Sequence, residues 1–234
     1  MRPRQLPLPF RHDPDFSPAD FIAAPANEAA RCWLERPADW PQGRLALWGE
    51  AGVGKSHLLH IWARNAAATV LSGPALRGLL PAPRASVAVD DADLAAEEAS
   101  LLHLLNAARE AGVTLLLAGR EPPARWNVRL PDLASRLASV HAVPLTAPDE
   151  ALLSVIFARL LSARQLVLAP ALQEWLLARL PRHPAALAEA VARLDHASLA
   201  AGRRVGRQMA VAALDSFLND DDLMPFSPAS PSLL

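Results

Sequence analysis

Gly49-Glu50-Ala51-Gly52-Val53-Gly54-Lys55-Ser56 is a complete G-x-x-x-x-G-K-[ST] phosphate-binding loop, and the apolar run 45–48 leads straight into it. Glycines let the backbone bend so that successive N–H groups converge on phosphate oxygens, at the positive end of a helix expected to start near Lys55. Lys55 supplies a point charge to the β- and γ-phosphates, Ser56 offers a hydroxyl to Mg2+, and His57 closes the set of loop residues placed against the nucleotide. A Gly-rich turn can match this pattern by chance. The strand pattern before it and the helical pattern after it favour a nucleotide site, with ATP or ADP as ligand.

The rest of the chain fits a globular protein built around that loop. Its 234 residues are 52% hydrophobic, enough for one α/β domain and a small helical appendage. A net charge of -1 and a pI of about 6.7 provide no overall basic field, so DNA is expected to be reached indirectly. Cys32 is the single cysteine, which excludes an internal disulfide and a multi-cysteine metal site. No apolar run approaches a membrane span, and the opening MRPRQLPLPF lacks a secretion signal, so the expected location is cytoplasmic.

Residues 1–18 are proline-rich without hydrophobic periodicity and read as an extended arm. Apolar runs at 45–48, 69–71, 86–89, 113–118 and 139–143 then alternate with helical patterns, predicting a parallel α/β sheet over residues 19–146. One helix follows the loop; another is expected over 94–110, stopping at Gly112. Beyond Leu145 the strand signals end. A helical lid is expected over 147–218, opening with Thr146 as N-cap and Pro148 in the first turn. Its stripes are Leu152, Leu153, Ile156, Phe157 and Leu160; Leu172, Trp175, Leu176 and Leu180; then Leu187, Val191 and Leu194. A fourth short helix is expected over 208–218. Residues 219–234, acidic and with three prolines, read as a loose tail without an assigned role.

Val87-Ala88-Val89-Asp90-Asp91 is an apolar strand ending in two carboxylates. Paired with the loop, it suits a Walker B element: Asp90 would hold the Mg2+ hydration shell and Asp91 could polarise an attacking water. An ordinary turn can also begin with two aspartates.

Together, GEAGVGKSHLLH, VAVDD, LPDLASRL at 130–137 and the helical lid resemble the AAA+ ATPases. Within them the chain is similar to the bacterial replication initiator DnaA and its shorter regulatory relatives, over roughly residues 5–217. FSPADFIAAPANEAA at 16–30 is similar to the segment that contacts the adenine in this family, with Phe21, Ile22 and Asn27 at matching positions. LASRL carries Arg136 where the family places its arginine finger, and RLDHAS at 193–198 matches the end of the third lid helix. The initiator continues into a helix-turn-helix domain that has no counterpart in these residues, so direct origin recognition is not expected.

Gln5-Leu6-Pro7-Leu8-Pro9-Phe10 resembles the Q-L-x-L-P-[FL] peptide that docks on the sliding clamp, the β subunit of DNA polymerase III. Gln5 can hydrogen-bond through its side chain, Leu6, Leu8 and Phe10 offer apolar anchors, and prolines such as Pro9 reduce the entropy lost on ordering. A proline-rich tail with chance leucines is the alternative. The resemblance implies a clamp-tethered regulator that presents Arg136 to ATP held by DnaA, so that the initiator becomes ADP-bound. An arginine finger supplied in trans is worth about 10^3 to 10^5 in rate. Arg136 could instead pair with Asp132 one helical turn back. Because a finger needs a neighbour's nucleotide, an assembly with the initiator or further copies of this chain is expected.

Two departures from the family concern self-hydrolysis. Where relatives carry G-D-R-P-P, this chain has Gly119-Arg120-Glu121-Pro122-Pro123, which puts Arg120 at the acidic sensor position. The sensor arginine of the third lid helix falls on Ala185, with Arg182 three residues earlier as the substitute. Tight nucleotide binding and weak intrinsic hydrolysis follow, and Asp91 stays open as a catalytic residue. A self-hydrolysing helicase-loader-like ATPase and a nucleotide-stabilised clamp adaptor remain the alternatives. The seven histidines lack zinc-ligand spacing, and the six tryptophans read as core or interface residues.

Overall fold

A computed structural model describes Phe16, Pro18 and residues 21–217, so the clamp-like peptide at 5–10 and the tail at 219–234 lie outside the described residues. The chain forms two compact units that meet in sequence at Leu152 and Leu153.

The first unit is a five-stranded sheet of β1 (Arg44–Trp48), β2 (Thr69–Ser72), β3 (Val87–Asp90), β4 (Leu115–Gly119) and β5 (His141–Pro144). The strands are all parallel, in the order β2-β3-β4-β1-β5. Unbroken apolar runs suit strands covered on both faces. Alternate residues divide between the two layers: Ala46, Val87, Val89, Leu115 and Leu117 face one core, and Leu45, Leu47, Ala88, Leu116 and Ala118 the other. The first core is closed by α3 (Glu98–Glu110) and α4 (Pro131–Ala138), through Leu101, Leu105, Leu133 and Leu137. The second is closed by α1 (Pro25–Leu34) and α2 (Lys55–Asn65), through Ala30, Leu58, Leu59 and Trp62. Trp48 pairs with Gly119 and Pro144, and Ser72 with Asp90, so the carboxyl ends of the strands share one edge. That edge is where open α/β sheets bind ligands.

Several boundaries differ from expectation for local reasons. The strand expected at 139–143 starts at His141 because Ser139 belongs to the end of α4, its hydroxyl donating to the Arg136 carbonyl at 2.7 Å. The helix expected from Leu94 begins at Glu98; Asp91 has a left-handed φ of 49°, and residues 92–94 form a separate 3-10 turn. Trp40, Trp62 and Trp126 are buried, whereas Trp33, Trp48 and Trp175 are partly exposed.

The second unit is all helical: α5 (Glu150–Ala163), whose first residues precede it, then α6 (Pro170–Leu177), α7 (Pro184–Ala201) and α8 (Arg207–Ala213). Its core joins Leu153, Phe157, Leu161, Leu172, Leu176, Leu180, Leu187, Val191 and Leu194, with Phe157 fully buried. Ile156, Leu160 and Trp175 pack partly buried against it. Thr146 is not the N-cap of α5. Its hydroxyl lies on the Ala26 carbonyl, and the Asp149 carboxylate caps instead, accepting the Leu152 N–H at 2.8 Å. The fourth helix is shorter than 208–218: α8 ends at Ala213 and a 3-10 turn follows at Asp215–Phe217. No described helix is long and apolar enough to cross a membrane.

Candidate nucleotide-binding site

The loop Gly49–Ser56 turns out of the carboxyl end of β1 into α2. Gly49, Gly52 and Gly54 all have positive φ. A Cβ on Gly49 would lie 2.4 Å from the Leu145 carbonyl oxygen, so glycine is required where the loop passes the end of β5. Gly54 is the left-handed N-cap of α2, with φ of 106°, and its freedom starts the helix at Lys55. Glu50 is exposed, while Ala51, Gly52 and Val53 form the turn between them.

Lys55 is 7% exposed, and its Nζ donates to the carbonyls of Gly49 at 2.7 Å and Glu50 at 2.8 Å. Burial lowers its pKa, and the Asp91, Asp93 and Asp90 carboxylates oppose that shift. The ammonium is thus held by the loop's own oxygens in a field of three acids. Ser56 follows in the first turn of α2, partly buried.

The acids come from the end of β3 and the turn beyond it. Asp90 is the last strand residue, and its Oδ1 accepts the Asp91 N–H at 3.1 Å. Asp91 is pushed above the ordinary carboxylate range by desolvation and by Asp90 and Asp93 beside it, with Lys55 and Arg120 pulling the other way. Asp93 is an addition to the residues expected from sequence. Its Oδ2 accepts the Arg120 N–H at 2.9 Å, and its Oδ1 is buried without a hydrogen-bond partner among the described residues. The third acid in D-D-A-D is the available signal, hidden because spacing alone does not say which way a 3-10 turn points. Among the described residues no group of three or more His, Cys, Asp or Glu side chains could hold a metal alone. One hydroxyl, one or two carboxylates and the nucleotide's own phosphates are the usual ligands of Mg2+, so Ser56 and Asp90 suit that ion.

Aromatic groups line the approach to α2. Phe21 meets His57 edge-on at 5.3 Å between ring centroids, and Phe16 stacks on His60 at 4.1 Å. Ile22 is half-buried beside them in sequence. Asn27 is buried, and both ends of its amide are used locally: Nδ2 donates to the Ile22 carbonyl at 2.9 Å and Oδ1 accepts from the Ala24 N–H at 3.1 Å. It therefore shapes the segment that carries Phe21 and Ile22.

Arg120 follows the carboxyl end of β4, between β3 and β1 in the sheet, so the expected sensor position does lie beside the loop and the acids. Ala185 is exposed in the first turn of α7, behind a cap in which His183 Nδ1 accepts the Ala186 N–H at 3.1 Å. Arg182 is exposed outside the helix.

Arg136 belongs to a different place. In the last turn of α4 it lines a cavity of about 340 Å3 with Arg44, Arg109, Asp132, Ser135 and Ser139. Arg44 is the first residue of β1 and the loop follows the last, so the two sites are separated along the strand by about 13 Å. Among the described residues no ion pair joins Arg136 to Asp132, and Arg136 Nε is buried without an acceptor. Arg44 and Arg109 escape a reading of the sequence because residues so far apart along the chain carry no local signal of meeting.

Residues 153–207 match the family model of the Hda lid domain. Domain III of the Thermotoga maritima replication initiation protein DnaA is similar in structure, with a TM-score of 0.70 and 18% identity over 88% of this chain and 98% of that one. AMPPCP-bound DnaA from Aquifex aeolicus matches with a TM-score of 0.63 and 16% identity, over 77% of this chain and 65% of that longer one. The Thermotoga maritima RuvB Holliday junction branch migration motor matches with a TM-score of 0.61 and 19% identity, over 85% of this chain and 69% of that one. Identities this low establish the AAA+ fold alone, and within it the family model marks residues 153–207 as similar to the lid domain of Hda.

Proposed function

We propose that this chain is a nucleotide-holding regulator of replication initiation, tethered by residues 5–10 to the β sliding clamp of DNA polymerase III. There it promotes hydrolysis of ATP bound to DnaA. In this reading the loop 49–57, with Phe21 and Ile22, would hold ATP or ADP, and Ser56 and Asp90 would hold Mg2+. Mg2+ would neutralise phosphate charge; Lys55 would exchange its two loop carbonyls for phosphate oxygens, which needs no new charge buried. The nucleotide fixes the shape of the chain. The chemistry is given to the partner, where the Arg136 guanidinium stabilises charge on the transferring phosphoryl group.

The observation that carries this reading is the separation of Arg136 from the chain's own loop, at the other end of β1, with a buried Nε that has no acceptor. A guanidinium so placed is out of reach of the chain's own phosphate loop, which supports a role on a nucleotide held by another molecule. DNA is reached through the clamp, and the regulator acts beside DnaA or further copies of itself.

The raised carboxyl pKa of Asp91 next to Lys55 favours a second reading, in which the chain hydrolyses its own ATP with Asp91 as base. One experiment separates the readings: the rate of hydrolysis of ATP prebound to DnaA, with the chain added, with and without clamp loaded on DNA. Clamp-dependent acceleration of about 10^3-fold, lost in Arg136→Ala, is expected. Turnover of ATP by the chain alone, abolished by Lys55→Ala, would favour the second reading. Clamp binding without acceleration would leave an adaptor.

A further inference from the structure

We infer that the cavity lined by Arg44, Arg109 and Arg136 is an oxyanion site that takes free inorganic phosphate, separate from the phosphate loop. Three guanidinium groups from β1, α3 and α4 converge on one cavity of about 340 Å3, against a single carboxylate, Asp132. Arg44 is only 3% exposed. One of its terminal nitrogens donates to the Leu105 carbonyl at 3.0 Å, but its Nε is buried with no acceptor among the described residues, as is Nε of Arg136. Buried donors left without acceptors are costly, and a charged donor more so. Two of them beside one cavity indicate acceptors supplied by a ligand.

Charge and shape select the ligand class. Burial lowers the pKa of Arg44, and the like charges of Arg109 and Arg136 add to the shift. A tetrahedral oxyanion offers several acceptor oxygens to planar guanidinium forks. The Ser135 and Ser139 hydroxyls line the same cavity, and Asp132 can accept the proton of a hydrogen phosphate. An apolar or cationic ligand would leave both Nε groups unpaired. The volume admits a phosphate with several waters, since one water occupies about 30 Å3.

The test needs neither DnaA nor ATP, so it stands or falls apart from the regulatory reading. The full chain is titrated calorimetrically with sodium phosphate, chloride being exchanged to hold ionic strength. One saturable site per chain is expected, retained in Lys55→Ala and weakened at least about 10-fold in Arg109→Ala, the loss of one charged multidentate contact. Arg109 is exposed, so its removal leaves the core intact. Ser135→Asp, also at an exposed position, provides an independent variant and is expected to weaken binding similarly. No saturable binding by the wild type overturns the inference. So does binding lost in Lys55→Ala but unchanged in Arg109→Ala and Ser135→Asp, which would put phosphate in the nucleotide loop.

Discussion

Burial holds the His60 imidazole below its ordinary pKa of 6.5, outweighing the nearby Asp90 carboxylate, while His57 and Arg64 push in the same direction as burial. The folded chain therefore resists a proton that the unfolded chain accepts. As pH falls below about 6.5 the unfolded state binds more protons, and stability declines until the folded-state pKa is passed. His60→Gln removes that slope. Melting temperatures at constant ionic strength between pH 7 and pH 5 are expected to fall less steeply for His60→Gln than for the wild type; equal slopes would remove His60 from the account. At this scale the sequence is informative where chemistry is local. The loop, Asp90 and the segment 16–30 need only a strand, a turn and a helix in series. Asp93, Arg44 and Arg109 are silent, because their meaning lies in the direction of a 3-10 turn and in the meeting of β1, α3 and α4 at one cavity.

Elements carry the site by being braced against each other. α3 contributes Glu98, whose carboxylate accepts the Arg129 N–H at 2.9 Å and the Leu130 N–H at 2.8 Å. Those backbone bonds hold its pKa below the usual range. Leu130 is the residue before α4, so Glu98 fixes where the helix bearing Arg136 begins. Glu98→Gln replaces an acceptor of two charge-assisted bonds by a neutral amide. Amide hydrogen exchange at Arg129 and Leu130 is expected to quicken several-fold, with nucleotide affinity of the chain unchanged within about two-fold. Unchanged exchange would mean that the loop is held by other contacts. Because the folded pKa is depressed, the contribution of Glu98 is present above the ordinary value of 4.5 and lost as pH falls through the folded value. Helix starts are the least legible part of the sequence. Thr146 and Asp149 are both good caps, and only the chain's path, which takes Thr146 to the Ala26 carbonyl, decides between them.

The molecule has separate hydrophobic cores for its sheet unit and its helical unit, and each is foreseeable from periodicity: unbroken runs for strands, spaced leucines for the lid. Separate cores imply that the two units can lose structure separately. Phe157 is fully buried in the lid core among leucines from α5, α6 and α7, and it has no part in either core of the sheet unit. Removing its ring costs the lost transfer free energy plus a cavity, about 3 to 5 kcal/mol. A small helical unit has a total stability of that order, since domains are stable by only about 5 to 15 kcal/mol. Phe157→Ala is therefore expected to melt the lid at a temperature where the sheet unit stays folded. Calorimetry would show a low-temperature transition displaced from the main one, with exchange protection lost in α5 to α8 and kept in β1, β3 and β4. A single transition moved as a whole would instead make the two units one cooperative body, in which lid and nucleotide loop share their stability.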